Sequence, residues 1–222
     1  MSHTSKVTNL RVAKTARVYS LGEFSANTNE VWIACHGYAQ LAARFIDRFQ
    51  SIVTGERVVI VPEGLHRFYL DPIDRSAEER RVGATWMTRE AREDDISDYI
   101  EYLDRVCDTM LPAQTDMRIV GFGFSQGTAT ITRWAAASTR RLHRLILWGA
   151  GLPPDLDWSQ AETRLSTVPV TLVVGRRDPF AVPERIAEQE ALLRQHGVSF
   201  QTVYYDGDHR VDPAVLRDIS LL

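Results

Sequence analysis

Short unbroken apolar runs alternate along the chain with stretches in which apolar residues recur every three or four positions. Val31-Trp-Ile-Ala-Cys35, Arg57-Val-Val-Ile-Val61, Arg118 to Phe122, Leu145-Ile-Leu-Trp148, Thr171-Leu-Val-Val174 and Ser199 to Tyr204 read as strands, most of them apolar enough to be covered on both faces. Between them, Leu41 to Val53 carries a stripe of Ala42, Phe45, Ile46 and Phe49, and Glu90 to Met110 one of Ile96, Tyr99, Ile100, Leu103, Val106 and Met110. Gln126 to Ser138, Pro183 to His196 and a short terminal segment begun by Asp212-Pro213 complete the helices. Val7 to Val12 and Ala16 to Leu21 predict an edge hairpin. Strands alternating with helices predict an α/β fold, a mostly parallel central sheet with helices on both faces, in a single domain spanning residues 1–222.

One stretch breaks the alternation. Pro62 to Arg89 combines Phe68, Tyr69, Leu70, Trp86 and Met87 with the charged middle Asp74-Arg-Ser-Ala-Glu-Glu-Arg-Arg81, and is too long for an ordinary connection. It is expected to be functional or partly helical, and the preferred use is a lid or pocket excursion with Phe68, Tyr69, Trp86 and Met87 supplying an apolar wall. The competing use is an ordinary surface excursion whose aromatic residues cover a corner of the core.

Composition narrows the function classes. With 44% hydrophobic and 25% charged residues the chain can bury a substantial core, and a net charge of −3 without a basic run argues against a nucleic-acid surface. The N-terminal Met1-Ser-His-Thr-Ser-Lys-Val-Thr-Asn lacks the apolar centre of a signal peptide, and no apolar run is long enough to span a bilayer, so a soluble cytoplasmic protein is expected. Cys35 in a strand and Cys107 in a helix read as buried free thiols, and neither a CxxC nor an HExxH suggests a metal.

The candidate chemistry lies in Gly123-Phe-Ser-Gln-Gly127, a GxSxG between a buried strand and a helix. A serine at such a reversal sits on strained backbone with its hydroxyl raised above the sheet edge, and side chains at Gly123 or Gly127 would meet neighbouring backbone. The same turn leaves the Gln126 N–H and the positive helix end free to receive charge developing on an attacked carbonyl oxygen. A loosened dinucleotide-binding fingerprint, Gly121-x-Gly123-x-x-x-Gly127, competes with this reading. It requires a carboxylate about 20 positions on, at the end of the next strand. That strand ends instead in Gly149-Ala-Gly151, with no acid before Asp155.

In a parallel sheet, reactive groups gather beyond the C-terminal strand ends, where this chain carries His36-Gly-Tyr38, Ser125, Asp178 and His209. The order serine, acid, histidine is the one used by α/β-hydrolases. With Gly123-Phe-Ser-Gln-Gly127, an early His-Gly, Gly175-Arg-Arg-Asp-Pro-Phe-Ala-Val-Pro183 and a late Asp208-His209, most of the chain resembles the phospholipase/carboxylesterase family of α/β-hydrolases, which includes the acyl-protein thioesterases. The resemblance implies Ser125 as nucleophile, Asp178 as acid and His209 as base, with the backbone N–H groups of Tyr38 and Gln126 as oxyanion donors. Asp206 and Asp208 are rival partners for His209, and His36 is expected to hold its loop by hydrogen bonds so that the Tyr38 N–H is aimed correctly.

The implied activity is hydrolysis of small-molecule carboxylic esters of small to medium acyl chains through an acyl-enzyme, with no cofactor, no metal and no nucleic acid. A homodimer is left open. A thioesterase or lysophospholipase would use the same three residues, and a non-catalytic ligand-binding relative is the reading from another class. Three departures from the family pattern bear on substrate: Tyr38-Ala-Gln where Gly-Asp is usual after the His-Gly, Thr128 in place of a second glycine, and the excursion itself.

Overall fold

The computed structural model describes residues 4–74, 76, 78–113 and 116–222, so that Met1, Ser2 and His3 of the N-terminal reading and Arg75 and Ala77 of the charged middle lie outside the described residues. The strands are β1 (Val18–Leu21), β2 (Glu30–Cys35), β3 (Arg57–Pro62), β4 (His66–Tyr69), β5 (Val82–Thr85), β6 (Arg118–Phe124), β7 (Arg144–Trp148), β8 (Val170–Gly175) and β9 (Phe200–Tyr205). The helices are α1 (Ala42–Phe45), α2 (Arg92–Met110), α3 (Gln126–Ala137), α4 (Trp158–Leu165), α5 (Pro183–Gln195) and α6 (Pro213–Ser220).

Seven strands form one sheet in the order β1-β3-β2-β6-β7-β8-β9, and every pairing in it is parallel except that of the edge strand β1 with β3. Alternate residues of each inner strand feed two separate cores. Val31, Ile33 and Cys35 point with Leu145, Leu147 and Leu172 towards α2, α3, α4 and α5. Trp32, Ala34, Phe122, Ile146 and Trp148 point the other way, towards α1, the 3-10 turn Ile46–Phe49 and α6. Burial on both faces explains why β2 reads as an unbroken apolar run.

Four expectations need correction. Val7 to Val12 forms no strand: Val7, Leu10 and Val12 are 80–84% exposed, and the segment is tied to α2 by polar contacts, Asn9 Nδ2 to Asp94 at 2.6 Å and Arg11 to Ser97 at 3.2 Å. Its apolar residues have no apolar surface to lie on. The stripe in 41–53 yields only α1 and the 3-10 turn, which suffice to seat Phe45, Ile46 and Phe49 in the core. The excursion is an antiparallel hairpin, with His66 opposite Thr85 and Tyr69 opposite Val82, and among the described residues no part of it is helical. A further helix, α4, absent from those expected by periodicity, begins at Trp158, its first turn capped by the Asp157 carboxylate, which accepts the Ser159 N–H.

At the N-terminal end of β2, Glu30 is nearly buried and accepts hydrogen bonds from Trp32 Nε1 at 2.8 Å and Arg57 Nε at 2.5 Å, with Arg118 at 3.3 Å. Arg57 also donates to the carbonyls of Ile52 and Ser220, joining three parts of the chain. Arg57→Met leaves the Glu30 carboxylate short of its closest cation, and urea unfolding should show a loss of about 3 kcal/mol. Arg118→Met, at a guanidinium 58% exposed, should cost less than about 1 kcal/mol. Equal midpoints for the two variants would contradict this ranking.

Candidate active site

The turn between β6 and α3 is built by close backbone approach. A Cβ on Gly127 would lie 2.1 Å from the Cys35 carbonyl oxygen, and one on Gly123 would lie 2.4 Å from the Gly127 carbonyl oxygen. The end of β2 can therefore press against the start of α3 only if both positions lack side chains. Ser125 between them adopts φ 53° and ψ −118°, a conformation that costs on the order of 1–3 kcal/mol. It is held there by its N–H to the Trp148 carbonyl at 2.9 Å and by the Thr128 N–H and hydroxyl, both donating to the Ser125 carbonyl.

Asp178 and His209 meet above the ends of β8 and β9. The His209 Nδ1–H donates to Asp178 Oδ2 at 2.7 Å, and Asp178 Oδ1 accepts the Phe180 N–H at 2.8 Å, so both oxygens of this buried carboxylate are engaged. The two loops approach because Gly175 has no side chain: a Cβ there would lie 2.6 Å from the Gly207 carbonyl oxygen. Asp206 turns outward to Arg177, and Asp208 to Arg210 at 2.9 Å. Of these three aspartates, Asp178 is the one whose carboxylate touches the imidazole. The ring packs between Phe124 and Phe180, with centroids 4.9 and 4.8 Å away, and Gly149 leaves it room, since a Cβ there would come within 3.0 Å of Cε1.

His36 organises the opposite rim. Its fully buried imidazole donates from Nδ1 to the Gly37 carbonyl at 2.8 Å and accepts the Gly64 N–H on Nε2 at 2.9 Å, bridging the loops after β2 and β3. Burial holds its pKa below the ordinary histidine value, against the pull of the Gly37 carbonyl and Glu63. The next turn is secured by Gln40, whose side chain accepts the Gly37 N–H at 2.8 Å, and by Ala39, at φ 65°, whose N–H donates to the Ala84 carbonyl of β5. Among the described residues, the Tyr38 and Gln126 N–H groups have no hydrogen-bond acceptor within the chain.

The hairpin aromatics take places other than a cavity wall. Trp86 is buried in the core, packs at a tilt against the His36 ring at 5.1 Å and donates from Nε1 to the His36 carbonyl at 2.9 Å. Phe68 packs on the Tyr38 ring at 5.3 Å, Tyr69 lies under the Arg80 guanidinium, and the Met87 carbonyl accepts from Gln126 Nε2 at 3.1 Å. None of the four lines the cavity of about 590 Å³ that contains Ser125, Asp178 and His209. That space is walled instead by Thr128 and Ala129 of α3, the 149–154 loop, Leu172 and Val174 of β8, and Ile186 and Gln189 of α5. This wall leaves little trace in the sequence, because its residues are small or lie on separate elements.

Two supporting residues were also missed. The Tyr205 hydroxyl lies 2.7 Å from the Asp208 carbonyl and 2.6 Å from the Arg210 carbonyl, bracketing His209, while accepting Trp148 Nε1 at 3.2 Å. Thr85 exchanges contacts with the Gln126 side chain at 2.9–3.0 Å and so ties the hairpin to the start of α3. A signal for Tyr205 exists in its position four residues before His209. Among the described residues, no group of three or more His, Cys, Asp or Glu side chains could hold a metal ion, and no helix is long and apolar enough to cross a membrane.

The family model described as Phospholipase/Carboxylesterase matches residues 26–221, nearly the whole chain. The chain belongs to the phospholipase/carboxylesterase family. None of the curated proteins compared matches it in sequence. Among solved structures it is similar to acyl-protein thioesterase 2 of Zea mays, at a TM-score of 0.68 and 16% identity over 93% of this chain and 97% of that one. It is also similar to the Bacillus cereus carboxylesterase, at 0.65 and 14% over 93% and 92%, and to a phospholipase/carboxylesterase from Dyadobacter fermentans DSM 18053, at 0.62 and 17% over 94% and 97%. At these identities the structures establish the fold, which is that of the α/β-hydrolases. The family match makes the chain a hydrolase of the phospholipase/carboxylesterase type.

The buried imidazole gives this family member a measurable pH signature. Because the folded pKa of His36 is lowered, the unfolded chain takes up the proton first as pH falls. The His36 contribution to stability is complete above the unfolded value of about 6.5 and declines as pH falls below it towards the folded pKa. His36→Asn should be less stable at pH about 7.5 and should lose less stability than wild type on acidification to pH about 5.5. Urea unfolding at the two pH values measures this, and parallel losses would contradict it.

Proposed function

We propose that this protein is a carboxylesterase that cleaves esters of small to medium acyl chains through a covalent acyl-enzyme on Ser125. The observation that carries the reading is the 2.7 Å bond from His209 Nδ1 to buried Asp178, opening on the cavity that also contains the strained Ser125. With Nδ1–H committed to the carboxylate, Nε2 is the proton acceptor of the ring.

In the proposed sequence, His209 Nε2 takes the Ser125 proton as Oγ attacks the ester carbonyl carbon, and the carbonyl π electrons move onto oxygen. The resulting oxyanion is received by the N–H groups of Tyr38 and Gln126, the latter at the positive end of α3. Collapse expels the alcohol, which takes its proton from His209. Water then attacks the acyl carbon, gives its proton to His209, and the free acid leaves as the proton returns to Ser125. Asp178 stabilises the imidazolium and keeps the ring oriented, with the close-packed Phe124, Phe180 and Gly149 limiting its rotation.

The test is hydrolysis of 4-nitrophenyl butyrate beside a matched thioester. Ser125→Ala should lower kcat by at least about 10⁴-fold in a folded protein, and Asp178→Asn by about 10³–10⁴-fold. Asp206→Asn and Asp208→Asn, whose carboxylates face Arg177 and Arg210, should stay within about threefold of wild type. Substantial turnover by Ser125→Ala would refute the nucleophile. Collapse of Asp208→Asn with Asp178→Asn near wild type would refute the acid, and turnover of the thioester alone would replace the ester reading by a thioesterase.

A further inference from the structure

A second cavity, of about 270 Å³, lies against the first, and Val174, Ala181 and Ile186 line both. The wall between the two spaces is therefore one side chain thick. Beyond it the second space is bounded by Gly175, Ala187 and Tyr204, with the Arg176 guanidinium over the Tyr204 ring at 5.1 Å. Glu190 also borders it, but its carboxylate is engaged by the Thr202 hydroxyl at 2.6 Å and by Arg194 at 3.0 Å.

The wall is held unevenly. The C-terminal half of α5 is fastened by Gln189, which accepts the Leu152 N–H at 2.7 Å, by Glu190 as above, by Arg194 against Phe200, and by Leu193, the one buried residue of the helix. In the N-terminal half, among the described residues, no side chain from Pro183 to Ala187 makes a hydrogen bond or ion pair. Ile186 is half-buried there, and rotation about χ2 can move its Cδ1 while the β-branched χ1 keeps the rotamer a helix favours. Val174 is part of the sheet, and the Ala181 N–H is bonded to the Asp178 carbonyl, so these two are fixed by the backbone around them.

We propose that the acyl chain of the substrate runs from Ser125 along β8 beneath α5, and that Ile186 is the partition that decides how long a chain is accepted. The proposal rests on the ester-hydrolase reading above and specifies its substrate class: unbranched acyl esters, with short chains ending at Ile186 and longer ones entering the second space when it turns aside. Leu152, Leu172, Val174 and Ile186 give this path aliphatic surface that suits methylene groups, although Arg185, Glu188 and Gln189 of α5 also line the cavity.

The experiment compares kcat/KM for 4-nitrophenyl acetate, octanoate and dodecanoate in wild type, Ile186→Ala and Ile186→Trp, with thermal unfolding to verify folding. A matched series of acetate esters with lengthening alcohols is run beside it. The dodecanoate-to-acetate ratio should rise at least about ten-fold in Ile186→Ala and fall by a similar factor in Ile186→Trp. Ratios unchanged in both folded variants, while acetate is hydrolysed and a fluorophosphonate labels Ser125, overturn the partition and leave the ester-hydrolase reading standing. A shift confined to the alcohol series overturns the acyl assignment. If wild type neither hydrolyses acetate nor is labelled, the ester-hydrolase reading fails, and the acyl path fails with it.

Discussion

The arrangement depends on the contact between the end of β2 and the start of α3, where Gly127 lies against the carbonyls of Cys35 and His36. Backbone at that separation admits no side chain, and the contact has several consequences at once. It brings the Tyr38 loop alongside the N-terminus of α3, so that the N–H groups of Tyr38 and Gln126 belong to one neighbourhood. It also demands the sharp reversal that holds Ser125 at positive φ, with Gly37 lying 3.2 Å from the Ser125 Cβ when built with its own Cβ. The strain is stored in the turn and sustained by two fully covered cores beneath it.

Around that contact a polar web fixes loops that would otherwise be free. His36 joins the β2 and β3 loops, Trp86 holds the His36 carbonyl, and Gln126 reaches back through Thr85 and Met87 to the hairpin. The excursion therefore acts from behind, as a brace for the rim of the site rather than a wall of the cavity. Gly83 shows the closeness of the fit: a Cβ there would lie 2.5 Å from the Ala39 carbonyl oxygen. The opposite rim is braced separately, by Tyr205 and Gly175 around the Asp178 and His209 loops.

Features governed by local periodicity were legible in the sequence. The inner strands are apolar on both faces, and the breaks at the ends of β6 and β8 mark the loops carrying Ser125 and Asp178, while the polar Asp206-Gly-Asp-His209 marks the loop after the edge strand β9. Contacts between distant loops were not legible. That Asp178, and not Asp206 or Asp208, reaches the imidazole depends on the approach of Gly175 to Gly207, which leaves no trace in spacing. Trp86 and Met87 read as pocket residues because an aromatic in a polar excursion has the same composition whether it faces a ligand or the core. The segment from Val7 to Val12 misled for a related reason: β-branched residues report a preference for a half-covered strand, and this segment lies beside polar residues of α2 instead.

The central claim is that Ser125 forms a covalent intermediate whose oxyanion is received by two backbone N–H groups. A crystal structure of the protein treated with an alkyl fluorophosphonate tests it most directly. The account requires phosphorus bonded to Ser125 Oγ, the phosphonyl oxygen within about 2.7–3.1 Å of both the Tyr38 and Gln126 nitrogens, and the alkyl chain in the cavity beside α5. Phosphonylation of another residue, or an adduct on Ser125 whose phosphonyl oxygen faces away from both N–H groups, would contradict it.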